Sequence, residues 1–110
     1  MVQIKDKYWL CRIMDYDKGD SLSCLSKSSK QELLEGINSI YSLGVIFKSD
    51  KGYEQFSKYR ELNYNYHRPS KGLWSFHSDT ISVKMNDSVS SFHFRILEVS
   101  KEYMMLKTGW

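Results

Sequence analysis

The chain carries little from which to build a covalent framework, a metal centre or a membrane span. Its 110 residues include only two cysteines, Cys11 and Cys24, and one proline. Two thiols fall short of the roughly four ligands of a structural zinc site and of a dense disulfide framework, so one bridge between them in an oxidising compartment, or none, is what they allow. No apolar run approaches the roughly 18 residues that a membrane-spanning helix needs. The opening residues 1–6, Met-Val-Gln-Ile-Lys-Asp, lack the apolar segment of a signal peptide. Two expectations stand side by side: a cytosolic protein, or a mature exported form with a start methionine added.

An excess of one charge is also missing. Sixteen Lys and Arg stand against thirteen Asp and Glu, a net charge of +3, which by itself is too weak to announce a nucleic-acid partner. The distribution is more informative than the total. Within residues 58–71, Lys58, Arg60, Arg68 and Lys71 face only Glu61, and the rest of the chain is balanced.

What the sequence does have is aromatic weight, 15% of residues within a 41% hydrophobic total. At this length it forms one domain, residues 1–110, that removes about two-thirds of its surface from water on folding. Residues 7–14 read as a first strand, with Trp9, Cys11 and Ile13 on one face and Tyr8, Leu10, Arg12 and Met14 on the other, a pattern of burial on both sides. Residues 15–28 read as a polar loop. Ser29-Lys30-Gln31-Glu32 is a capping-box signature, and Leu33, Leu34, Ile37, Ile40 and Tyr41 follow at helical spacing. Gly36 within that helix costs about 1 kcal/mol relative to alanine, so the helix needs tertiary contacts.

Residues 45–48 and 53–56 predict two strands around Ser49-Asp50-Lys51-Gly52, with Gly52 expected to supply the positive φ of a tight hairpin. Residues 60–71 read as a long polar loop. Beyond it, a turn at residues 77–80 pairs Phe76 with Ile81, Trp74 with Val83 and Gly72 with Met85, leaving one face almost wholly apolar. A second turn near Ser88-Val89 sets Met85 against Phe92, Val83 against Phe94 and Ile81 against Ile96. A last strand, residues 103–107, brings Tyr103 and Met105 beside Ile96. Leu97, Val99, Met104 and Leu106 then form an outer apolar patch that the helix is expected to cover. The fold class is mainly β: about seven antiparallel strands in an up-and-down meander that curls into a small barrel, with one short helix packed outside.

Tyr8-Trp9, the stretch Phe47-Lys48-Ser49-Asp50-Lys51-Gly52, Gly72-Leu73-Trp74 and the closing meander at residues 80–107 together resemble the small bacterial lipocalin-like (calycin-type) domain proteins. The resemblance implies an eight-stranded or similar barrel, often at the cell envelope, whose interior in some members holds a small apolar ligand.

Ligand-binding candidates are the inward aromatics Trp9, Trp74, Phe76, Phe92 and Phe94, with Met105. They would line an open pocket, or they would meet and fill the barrel at roughly 2 kcal/mol of burial each. In residues 58–71 basic groups interleave with Tyr59, Tyr64 and Tyr66. Arg60, Tyr64, Tyr66 and Arg68 are the partner-binding candidates, suited to a protein partner and, in lower rank, to nucleic acid. Ser75, His77 and Asp79 lie close in sequence, but one hairpin offers neither the separate elements nor the oxyanion hole that a catalytic triad needs. His67, His77 and His93 have no metal-ligand spacing. The expectation is a non-enzymatic binding module without cofactor or metal, taking a small apolar ligand inside or a protein on its loops.

Overall fold

In a computed structural model, which describes residues 4–14, 21–37, 42–61, 64–86 and 91–109, eight strands form a closed antiparallel barrel. The strands are β1 (Tyr8–Met14), β2 (Ser21–Lys27), β3 (Ser42–Phe47), β4 (Gly52–Glu61), β5 (Tyr64–His77), β6 (Thr80–Met85), β7 (Ser91–Val99) and β8 (Tyr103–Gly109), with helix α1 (Lys30–Gly36) between β2 and β3. From β3 to β8 each strand pairs with the next, as a meander requires. Closure comes from the first hairpin, whose β1 pairs with β3 while β2 pairs with β8.

The strand missing from the sequence reading is β2, which lies in the expected polar loop. Its segment Ser-Leu-Ser-Cys-Leu-Ser-Lys buries only Leu22 and Cys24. Its three serines, Ser21, Ser23 and Ser26, carry little strand preference of their own, so the pairing on both sides holds it extended. Cys11 and Cys24 face each other across β1 and β2, with Cα atoms 4.0 Å apart, and are joined by a disulfide.

A second correction concerns residues 60–71. Of these, 60–61 and 64–71 are paired strand: β4 and β5 pair from Gly52↔Leu73 to Glu61↔Tyr64. The outer part of this hairpin has no further strand partner among the described pairings, since β3 reaches only Ser57 and β6 reaches only Gly72. The segment shows no regular apolar alternation, and so it resembles a loop in sequence. Pro69 is tolerated because β5 has no second strand partner at that point among the described pairings.

Register explains the remaining differences. Between β5 and β6 the pairs Phe76↔Ile81, Trp74↔Val83 and Gly72↔Met85 stand as expected. Between β6 and β7 the partners are Val83↔Phe92 and Ile81↔Phe94, two residues from the expected pairing, and an even shift keeps every side chain on its face. Between β7 and β8 a bulge separates Ile96↔Leu106 from Glu98↔Met105. That odd step turns β8 over. Met104 and Leu106 are buried inside the barrel, whereas Met105 lies on the opposite face and Leu97 is exposed.

Helix α1 therefore does not cover a patch on β7 and β8. The β2-to-β3 connection must cross β1, and α1 packs there, with Leu33 and Ile37 against Leu10, Ile46 and Phe56. A methyl group on Gly44 would lie 2.7 Å from a Leu33 side-chain carbon, so glycine on β3 admits the close approach. Ser29 caps the helix by accepting from the Glu32 amide at 3.1 Å, and the Glu32 carboxylate accepts from the Ser28 hydroxyl at 2.6 Å instead of from the Ser29 amide. The helix ends at Gly36, with Ile37 as its C-cap; Ile40 and Tyr41 lie outside the described residues. In the β3–β4 turn the positive φ belongs to Lys51, at 77°, and not to Gly52.

Candidate functional site

Alternation along the strands sends two sets of residues into the barrel, and the two ends use them differently. At the end formed by the β3–β4 turn, the interior is filled. Ile4, Trp9, Phe47, Tyr53 and Trp74 are all buried in one cluster. The Phe47 ring meets Trp74 edge-on at 5.4 Å and Tyr53 at 5.5 Å. Both indoles are anchored by donation to backbone carbonyls, Trp9 Nε1 to Ile4 at 3.1 Å and Trp74 Nε1 to Lys48 at 2.8 Å. Asp6 fastens the N-terminal segment over this end, its amide donating to the Phe47 carbonyl and its carboxylate accepting from the Ser49 amide. Among the described residues every buried side-chain nitrogen and oxygen has a partner, which is what such burial demands.

Toward the other end the packing opens. A cavity of about 220 Å³ is lined by Ile13 of β1, Leu22 of β2, Leu43 of β3, Gln55 of β4, Phe92 and Phe94 of β7, and Thr108 of β8. Its wall is mostly hydrocarbon. The two phenylalanines meet edge-on at 5.3 Å, and Phe92 touches Tyr53 at 6.1 Å, so a run of ring contacts connects the cavity to the filled end. Gln55 brings a polar group to the wall. Its Oε1 accepts from the Tyr53 hydroxyl at 2.7 Å. Burial pushes the Tyr53 phenol well above its ordinary pKa, because no water reaches the phenolate that ionisation would create.

The sequence-derived ligand residues thus divide. Phe92 and Phe94 line the cavity, Trp9 and Trp74 belong to the packed end, and Phe76 is partly buried against the same core. Met105 is corrected to the outer face by the bulge. Gln55, Leu22, Leu43 and Thr108 escaped the sequence reading. The one available signal was Gln55, a polar residue at an inward position between Tyr53 and Ser57 on β4. Leu22 lay hidden in the unrecognised strand.

The partner-binding candidates Arg60, Tyr64, Tyr66 and Arg68 fall on the β4–β5 hairpin, their side chains outside the described residues. Of the close-set trio, Ser75 and His77 are exposed, and the Asp79 carboxylate accepts from Thr80 Oγ1 at 3.1 Å and lies 3.8 Å from Arg95. His93 instead meets Ser82 on the outer wall, at 2.8 Å. Among the described residues no helix is long and apolar enough to cross a membrane. No family model matches the chain, and no curated protein or solved structure is significantly similar to it.

Proposed function

We propose that the protein is a non-enzymatic binding module that receives a small apolar molecule in the open end of its barrel. The observation that carries this reading is the cavity itself, where four of the six strands that reach it supply hydrocarbon: Ile13, Leu22, Leu43, and Phe92 with Phe94. At about 220 Å³ it is larger than a cavity of about 150 Å³ that stays dry and takes benzene. It is smaller than the roughly 300 Å³ at which drug-sized sites begin. The ligand class is accordingly small. The disulfide adds a preference for an oxidising compartment, where such a bridge persists.

Methyl NMR during titration with toluene tests the reading. Saturable shifts are expected at Ile13, Leu22 and Leu43, and their abolition is expected in Leu43→Trp, which fills the space. Unchanged methyl spectra up to millimolar toluene would sink the proposal.

A second reading rests on the β4–β5 hairpin, which continues past the reach of β3 and β6 as a two-stranded ribbon carrying Arg60, Tyr64, Tyr66 and Arg68. Such residues are enriched at protein-binding hot spots. Alanine at these four positions is expected to leave folding intact and remove a protein partner from pull-downs. Salt-sensitive retention on heparin would instead favour nucleic acid.

A further inference from the structure

The geometry points to a neutral amphiphile as the cavity's ligand, its hydrocarbon body against Phe92 and Phe94 and one hydrogen-bond acceptor on the Gln55 amide N–H, with Tyr53 as the positioning residue for that amide. This rests on the cavity-binding reading and narrows it. A carboxamide has one acceptor oxygen and two N–H donors. The Tyr53 hydroxyl donates to that oxygen at 2.7 Å, so the donors are what Gln55 offers to a molecule beside it. Tyr53 is 1% exposed, with its ring held by Phe47 and Phe92, and the hydroxyl therefore has a fixed place from which to orient the amide.

The rest of the wall sets the ligand's character. Ile13, Leu22, Leu43, Phe92 and Phe94 are hydrocarbon and Thr108 is neutral, so the wall gives no charge to pair with an ion. Moving a carboxylate or ammonium into such surroundings costs far more than one amide contact returns. A ketone, aldehyde or ester meets the requirement: it accepts without donating, carries no charge, and brings no donor of its own to bury. The cavity volume limits the attached body to about the size of one aromatic ring with a short substituent or a short acyl chain.

Acetophenone and α-methylstyrene, which differ by C=O against C=CH₂ in nearly one shape, make the test. Their dissociation constants are to be measured by NMR titration on the wild-type chain, Gln55→Leu and Tyr53→Phe, each first shown to be folded by its methyl spectrum. The wild type is expected to prefer the ketone once each affinity is corrected for the probe's own transfer from water to hydrocarbon. Gln55→Leu is expected to weaken the ketone by about tenfold and leave the hydrocarbon unchanged. Tyr53→Phe is expected to weaken the ketone by a smaller factor, about threefold, again without touching the hydrocarbon, a split that mere loss of packing would not produce. Equal weakening of both probes by either variant, or no effect of Gln55→Leu on the ketone, would overturn the inference and leave cavity binding standing. Failure of both probes to bind the wild type would overturn the two together.

Discussion

The two ends of the barrel are built from the same alternating strands and have opposite outcomes. Where β3 turns into β4, the interior receives Trp9, Phe47 and Trp74, three large rings, and the N-terminal segment lays Ile4 beneath them. Where β1 and β8 end, those strands with β2 and β3 bring Ile13, Leu22, Leu43 and Thr108 inward, smaller side chains that leave a cavity beside Phe92 and Phe94. The difference teaches that a small barrel is not hollow or solid as a whole; its side-chain volume at each level decides.

Truncation of one ring at each end is the sharpest way to break this comparison. Phe47→Ala is expected to cost about 3–5 kcal/mol, the usual toll for an aromatic removed from a packed core. Phe92→Ala, beside space that already exists, is expected to cost well under half of that. Urea denaturation of the two variants provides the values, and equal losses would erase the distinction between the ends. Next in size is the disulfide, which joins strands midway between the ends. Replacing Cys11 and Cys24 together by alanine is expected to cost about 3 kcal/mol for a loop of this length, read from the same denaturation curves.

A smaller effect comes from pH. The Tyr53 pKa is raised in the folded state by burial, whereas in the unfolded chain it titrates near 10. Below that pH both states hold the proton and stability is unaffected by this group. Above it the unfolded state loses the proton first, so stability falls by about 1.4 kcal/mol per pH unit until the folded phenol also ionises. Denaturation midpoints measured from pH 9 to 11 should fall more steeply in the wild type than in Tyr53→Phe, and parallel profiles would contradict the burial argument. The smallest expected effect is that of Leu43→Trp, which grows into open volume and should change stability by no more than about 1 kcal/mol. A large loss in thermal unfolding would mean that the space beside Leu43 is already taken.

How much of this was legible in the sequence follows from what each strand touches. Trp74, Phe76, Ile81 and Val83 announced their shared face because β5 and β6 join by a tight turn and are covered on one side only. Phe92 and Phe94 kept the right face despite a mistaken partner, since the error was even. Met105 did not, because a bulge near Leu97 leaves no mark in an apolar run such as Ile96-Leu97. The ribbon beyond Ser57 was invisible for lack of regular apolar alternation, and β2 for lack of strand-forming residues. As for the site, the aromatic wall could be read from alternation, but the cavity could not: it exists because four modest side chains from four strands reach one level of the barrel, and that level depends on closure between β2 and β8.

Diffraction from crystals held under xenon pressure examines the central claim most directly, since xenon enters dry apolar space irrespective of ligand chemistry. A xenon atom is expected among Ile13, Leu22, Leu43 and Phe94, and none beside Trp9 or Trp74. Xenon next to Trp74, or an open end already filled by side chains, would contradict it.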